Sequence, residues 1–193
     1  LLAQAYLRAH FYSEADFHFA EIAALCDGWR AEGAPVSSVE LVRGGLALTH
    51  AEIRAWAEWG RAACRAERGA DLRQALAHAA AARTAVCELP APDRPPNLLA
   101  AVSDAEGYAL LRLGALGEAL RALQQSVDLY PDPEGYLHLA LACEALARAP
   151  GSAAAAGHWN TEALRRLDVA QRLDKHGEWR DEIESLRARL TGV

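Results

Sequence analysis

A four-residue pattern recurs along this chain at a constant interval. The segments Gln74-Ala75-Leu76-Ala77, Glu118-Ala119-Leu120-Arg121 and Glu162-Ala163-Leu164-Arg165 align without gaps, and their alanines are 44 residues apart (119 − 75 and 163 − 119). Self-similarity at a fixed period of about 20 to 50 residues is the signature of a repeat architecture. The chain is therefore predicted to be built from stacked, similar units.

Each copy of the pattern opens a segment with helical periodicity. Apolar residues recur at every third or fourth position, which places them on one face of a helix. They are Leu116, Leu120, Leu123 and Val127 after the second copy and Leu164, Leu167, Ala170 and Leu173 after the third. Long Ala, Leu, Arg and Glu stretches favour helix throughout, and few segments favour strand. The predicted fold class is all-α, with one face of each helix buried.

The segment from about 100 to 131 resembles the tetratricopeptide repeat, a helix-turn-helix unit of about 34 residues. Six positions match the family's pattern: Gly107 at the helix crossing, Leu110 at the aromatic site, Gly114 in the turn, Ala119 and Leu123 in the second helix, and Pro131 at the end. Two positions depart from it, because Ser103 and Glu106 stand where the family has Trp and Leu. A glycine in mid-helix costs about 1 kcal/mol relative to alanine, so Gly107 predicts close approach of a partner helix.

Three further segments fit the same template less completely. The predicted units cover residues 1–29, 50–88, 98–131 and 133–175, with an irregular insert at 30–49 and a capping helix at 177–191. The resemblance implies a single domain, an α-solenoid of antiparallel helix pairs wound as a right-handed superhelix. Paired helices are expected to interlock at Ala3, Ala63, Gly107 and Ala119. In the last unit Glu144 takes the place of the aromatic residue.

Two segments account for the length by which the 44-residue interval exceeds the family's repeat. They are Pro90 to Asn97, PAPDRPPN, and Ala149 to Gly157, APGSAAAAG. Prolines do not continue a helix, so both segments are predicted to be surface loops. Near the C-terminus, Trp179, Ile183, Leu186 and Leu190 share one helical face, a pattern typical of a helix that caps a solenoid.

The insert at 30–49 supports two interpretations. Ser37 and Glu40 form a capping-box pattern, which favours a short helix from about 38 to 48. The alternative is a hairpin turning on Arg43-Gly44-Gly45, with Val39 and Leu41 facing Leu46 and Leu48. Both remain open at this point.

Three other helix starts carry capping signals. Thr49 with Glu52 forms a second capping box, which predicts a long helix from His50. Asn97 is predicted to cap the helix that follows it, and Asp132-Pro133 combines a capping residue with Pro at the first helical position.

Composition excludes several partner classes. The chain has 193 residues and a formal charge of −6, and nucleic-acid binding depends on clustered Lys and Arg, so nucleic acid is not an expected partner. No apolar run approaches the roughly 20 residues of a bilayer span, and the N-terminus lacks a signal pattern. We therefore expect no membrane partner and a cytoplasmic location. Arg and Ala richness suggests a GC-rich bacterial source, and the lack of Met suggests a piece of a larger protein.

No catalytic signature occurs in the sequence. It contains no P-loop, no G-x-S-x-G and no H-E-x-x-H, so we expect no enzyme activity and no cofactor. The seven His do not pair at i, i+4, and His10 and His18 are separated by a predicted turn at 13–15, so no metal site is expected. The four Cys lack C-x-x-C spacing and are expected to be reduced and buried. Glu178, Asp181, Glu182 and Glu184 are interpreted as a solvated helix face.

The family resemblance supplies candidate binding residues. In tetratricopeptide proteins the first helix of each pair lines a concave groove. The corresponding positions are Gln4, Arg8, Cys64, Arg68, Asp104, Tyr108, Arg112 and His138. Tyr108 and Arg112 stand one turn apart and are of types enriched in binding hot spots, although Tyr108 alternatively packs against the neighbouring helix.

The groove implies a protein- or peptide-binding adaptor. The alternatives are a self-associating or linker module, joined through exposed solenoid ends, and an all-α enzyme or small-molecule sensor.

Overall fold

The computed structural model describes residues 2–31, 41–43, 46–151 and 153–192. Over these residues the chain is helical apart from one short hairpin, and a single 3-10 turn occurs at Ala91–Asp93. The elements are α1 (Leu2–Arg8), α2 (Tyr12–Ala31), β1 (Leu41–Arg43), β2 (Leu46–Leu48), α3 (His50–Arg68), α4 (Leu72–Cys87), α5 (Pro96–Leu113), α6 (Leu116–Leu129), α7 (Pro133–Arg148), α8 (Ala156–Leu173) and α9 (Arg180–Thr191).

Consecutive helices pack against each other along the whole chain. α1 packs on α2, α3 on α4, α5 on α6 and α7 on α8, and α9 follows against α8 and α7. Each odd-numbered helix also contacts the next odd-numbered one, from α1 through to α9. Glycines with positive φ, Gly69 and Gly114, end α3 and α5 and allow the chain to reverse sharply. The odd-numbered helices thus border one another on one side of the molecule.

The prediction for Gly107 is confirmed. A Cβ placed on Gly107 would lie 2.6 Å from Cγ of Leu123 and 3.0 Å from the Leu123 backbone nitrogen, so α5 and α6 touch where α5 lacks a side chain. Ala3, Gly107 and Ala119 are buried, and Ala63 is half-buried against the core. None of the four small positions faces solvent.

The apolar helix faces predicted from the sequence form the core. Leu123 and Val127 of α6 are buried together with Leu139 of α7, and Leu167 of α8 is buried with Ile183 of α9. Each cluster joins side chains from neighbouring helix pairs. The core therefore continues from one pair to the next along the chain.

A helix lies at the segment predicted to be helical near the C-terminus, and α9 begins three residues later than the expected start at 177. Ile183 and Leu186 are buried against α7 and α8. Arg189 donates from Nε and Nη2 to the carboxylate of Glu144, at 3.1 and 3.2 Å. Arg148 approaches the same carboxylate at 2.9 Å. Glu144, 7 % exposed, is thus paired with one arginine from α9 and one from its own helix.

The predicted helix at 38–48 is wrong where the structure describes it. Residues 41–43 and 46–48 form antiparallel strands, with Leu41 opposite Leu48 and Arg43 opposite Leu46, as the hairpin alternative has it. Two adjacent glycines between short apolar runs favour a two-residue hairpin loop and would weaken a helix by about 2 kcal/mol. The capping box of Ser37 with Glu40, and Val39, lie outside the described residues.

Two of the three remaining caps are confirmed. Thr49 and Glu52 make the reciprocal capping box of α3, and Asp132 accepts a hydrogen bond from the Gly135 backbone N–H at 2.9 Å. The prediction that Asn97 caps α5 is wrong. Helix α5 already begins at Pro96, because proline at the first helical position has the required φ and no N–H to satisfy.

The described residues of both predicted loops lie at the surface, although α5 and α8 begin within these loops at Pro96 and Ala156. All four cysteines are free, and Cys26, Cys64 and Cys143 are buried. Cys87 is exposed, contrary to expectation, and it is the last residue of α4. Among the described helices, none combines the length and apolar character that crossing a bilayer requires.

Candidate binding trough

An open cavity of about 470 Å³ lies along the odd-numbered helices. Its lining comes from the α1–α2 turn and from α3, α5, α7 and α9, and we call it the trough. Aromatic and ionisable side chains dominate its lining, among them Tyr12, Glu67, Tyr108, His138, Trp179 and Arg189. The trough is therefore suited to a ligand with both apolar and charged parts.

A buried histidine lies at the floor of the trough. His138 of α7 is 4 % exposed. Its Nδ1 lies 2.9 and 3.1 Å from the two carboxylate oxygens of Asp104 on α5. Because an ionised carboxylate only accepts hydrogen bonds, Nδ1 carries the hydrogen and donates it. The other nitrogen, Nε2, lies 4.0 Å from Oε1 of Glu67 on α3, beyond hydrogen-bond distance.

A second glutamate joins this histidine from the same helix. Glu134 precedes His138 by four residues on α7, so the two side chains lie on one helical face. Donor atoms of Glu67, Glu134 and His138 all lie within 4.8 Å of one another. We call His138, Asp104, Glu67, Glu134 and Tyr108 the His138 cluster.

Tyr108 connects this cluster to the expected arginine. Its ring stacks on the His138 imidazole, with centroids 4.1 Å apart and planes 9° from parallel. Arg112, one turn further along α5, donates from Nη1 to the Tyr108 hydroxyl at 3.4 Å and to the Glu67 carbonyl at 3.4 Å. Tyr108 thus both lines the trough and packs against α7. The packing alternative for Tyr108 is therefore confirmed, and its role in binding a partner stays a prediction.

Burial and mutual repulsion perturb the ionisation of the cluster. Burial raises the pKa of Glu134, and the Asp104, Asp132 and Glu67 carboxylates add to that rise while His138 opposes it. Burial alone would lower the pKa of His138, but Asp104, Glu134 and Glu67 together outweigh it and raise that pKa to about 9.

The pKa of Glu67 is raised as well, by burial first. The carboxylates around His138 thus favour its charged form, while burial shifts Glu67 and Glu134 toward their neutral forms.

The structure brings half of the predicted groove residues together. Asp104, Tyr108, Arg112 and His138 meet through the contacts just described. Gln4 and Arg8 on α1, and Arg68 at the end of α3, are half-buried or exposed but do not line the trough.

Cys64 is a correction among these residues. It is fully buried in a cluster with Ala3, Ala15 and Phe19, because the α1–α2 pair packs over this part of α3. A thiol buried in this way cannot contact a partner, although Cys64 precedes Tyr108 by the 44-residue interval of the sequence pattern.

Several trough residues were not predicted from the sequence. Glu67 and Glu134 were missed, although the four-residue spacing of Glu134 and His138 signals a shared helical face. Arg189 lies on α9 and Trp179 directly precedes this helix, and neither was expected in the groove. The turn expected at 13–15 is also misplaced. It lies at residues 9–11, where His10 adopts positive φ, and 13–15 already belong to α2.

Comparisons with models of protein families, with curated proteins and with solved structures found no match to this chain. The resemblance to the tetratricopeptide repeat thus rests on this chain's own residues. Function has to be inferred from the trough and its side chains.

Proposed function

We propose that this chain is a short tetratricopeptide-like scaffold that binds a protein or peptide segment in its trough. The proposed architecture is one domain, a right-handed solenoid of four antiparallel helix pairs closed by α9. Support comes from the contacts between successive odd-numbered helices and from the close crossing of α5 and α6 at Gly107. The observation that carries the function is the open trough itself, which four odd-numbered helices border.

The lining indicates the chemistry of the partner. Tyr108, Trp179 and Arg189 are of the residue types that dominate binding hot spots. The carboxylates of Asp181 and Glu182 line the trough, so charge complementarity favours a segment that carries Lys or Arg. The same carboxylates disfavour nucleic acid and a C-terminal carboxylate. The proposed setting, a bacterial cytoplasm, is supported by composition alone.

The test uses peptides selected for binding to the intact chain. Peptides are chosen from a displayed random library, and their affinities are measured by fluorescence anisotropy. We expect the double variant Tyr108→Ala, Arg112→Ala to weaken binding by at least about 10-fold, because hot-spot truncations cost more than about 1 kcal/mol each. Its melting temperature should stay within a few degrees of the parent, since Arg112 is exposed and Tyr108 is half-buried.

The matched control removes the same two residue types from another surface. Tyr130→Ala with Arg121→Ala truncates an exposed tyrosine and an exposed arginine at α6 and its C-terminal end, outside the trough. This variant should bind the peptides with parental affinity. Equal affinity for the parent and the trough variant would show that the trough is not the binding surface.

A second candidate function is self-association, and a specific surface favours it. Four large apolar side chains of the first helix pair, Leu2, Phe11, Phe17 and Leu25, are each more than half exposed. Large exposed apolar area marks interaction surfaces, and a second copy of this chain would cover these side chains.

Sedimentation velocity tests the second candidate over a range of concentrations. A dimer that forms with increasing concentration is expected, and Phe17→Ser with Leu25→Ser should keep the chain monomeric. Leu113→Ser with Leu129→Ser, which changes two other exposed leucines, should leave the dimer intact. A parental chain that stays monomeric at every concentration would exclude this function.

A further inference from the structure

We propose that the His138 cluster is a binding site for a divalent transition-metal ion of the zinc class. Glu67, Glu134 and His138 are the ligands, and Asp104 orients the histidine. The site goes beyond partner binding, and it does not depend on any partner being present.

The donor set selects the class of ion. Imidazole nitrogen together with carboxylate oxygen suits Zn²⁺, Mn²⁺ and Fe²⁺, whereas Mg²⁺ and Ca²⁺ prefer oxygen ligands alone. The three donor atoms lie within 4.8 Å of one another, and ligand atoms around a tetrahedral zinc lie about 3.4 Å apart. Rotation of the two glutamate side chains brings the donors together, because their terminal torsions are broad.

The orientation of His138 is the observation that points to an ion. Asp104 holds Nδ1–H with both carboxylate oxygens, which fixes the imidazole and leaves Nε2 as the coordinating nitrogen. Nε2 makes no hydrogen bond to any residue within the described ranges, and it lies 4.0 Å from Glu67. Metal-bound histidines almost always donate their other ring N–H to a carboxylate or carbonyl in this way.

The three donors come from two helices, Glu67 from α3 and Glu134 with His138 from α7. A divalent ion between Glu67, Glu134 and Nε2 would contact all three donors at once.

Another histidine forms an ordinary pair with one carboxylate, partly buried in this chain. His78 lies 2.7 Å from Oε2 of Glu58, and this contact joins one imidazole to one carboxylate. Among the described residues, Glu67, Glu134 and His138 form the one group in which three metal-ligating donors converge. His78 therefore provides a matched control.

The experiment is isothermal titration calorimetry of the chelator-treated full chain with ZnCl₂ and with MgCl₂. Cys87→Ser serves as the background, because Cys87 is an exposed thiol able to bind zinc elsewhere. We expect one saturable zinc site per chain and no comparable magnesium site. Glu67→Gln and Glu134→Gln should each weaken zinc binding at least about 10-fold, and Asp104→Asn by about 10- to 100-fold, as for other residues that orient metal ligands. His78→Gln should leave the affinity unchanged.

A second readout separates loss of the site from loss of the fold. Co²⁺ bound in place of Zn²⁺ gives visible absorption bands that depend on its ligands, and these bands should change in Asp104→Asn while far-UV circular dichroism stays parental. Absence of a saturable zinc site in the parent, or parental affinity in both Glu67→Gln and Glu134→Gln, would overturn the proposal.

Discussion

We expect Gly107→Val to lower the free energy of unfolding by about 3 kcal/mol, at the upper end of the usual cost of overpacking. The new Cβ would lie 2.6 Å from Cγ of Leu123 and 3.0 Å from the Leu123 backbone nitrogen. The first contact cannot be relieved by moving the far end of a flexible side chain, and the second involves the backbone. Valine has a higher helix propensity than glycine by less than about 1 kcal/mol, which is too small to offset the cost of these close contacts. Urea denaturation followed by circular dichroism measures the change.

A double-mutant cycle tests the contact itself. Gly107→Val adds three carbon atoms, and Leu123→Ala removes three on the facing helix, so the double variant conserves the core volume. Each single change should cost about 3 kcal/mol, and the double variant should cost less than their sum by at least about 1 kcal/mol. Gly117→Val, which meets nothing within 4 Å, should change stability by less than about 1 kcal/mol. Strict additivity of the two costs would contradict the interlocking of α5 and α6.

Leu167→Ala is expected to lower the free energy of unfolding by about 3 to 5 kcal/mol. Leu167 is fully buried in the cluster where α7, α8 and α9 meet, together with Leu137 and Ile183. Truncation removes three methyl or methine carbons and leaves a cavity between helices that support one another. The measurement is the unfolding free energy from urea denaturation.

The control for this change is Leu129→Ala, at the exposed end of α6. Because Leu129 remains 37 % exposed, its truncation should cost less than about 1 kcal/mol. A cost below about 1 kcal/mol for Leu167→Ala would mean that α8 does not pack between α7 and α9 as described.

Local signals explain why the helices could be predicted from the sequence. Two positions require glycine for a physical reason. At Gly107 the two helices cross closely, and at Gly114 the backbone adopts a left-handed turn. Thr49 and Asp132 cap their helices with their own side chains. Such features depend on neighbours within a few residues, so the sequence displays them directly.

The hairpin and the helix start at Pro96 show where local signals compete. A capping box favoured helix before 41–43, whereas two glycines favoured a turn, and the strands prevailed. At α5 the proline outweighed Asn97 because its φ is already helical. In both cases the relative weight of two local preferences decided the outcome, and composition alone does not give that weight.

The His138 cluster could be predicted only in part. Glu134 and His138 are one helical turn apart, and that spacing is visible in the sequence. Glu67 precedes His138 by 71 residues (138 − 67), and Asp104 lies on a third helix. Their meeting depends on how α3, α5 and α7 pack, which is a tertiary property. Cys64 illustrates the reverse, since a position predicted to line the groove is covered by the first helix pair.

The central claim is that a partner binds along the odd-numbered helices, and a backbone-amide NMR titration tests it most directly. A selected peptide is added to ¹⁵N-labelled chain, and chemical-shift changes are mapped residue by residue. We expect the largest changes at Tyr108, at His138 and at their neighbours on α3, α5 and α7. Changes confined to α4, α6 and α8 would contradict the claim.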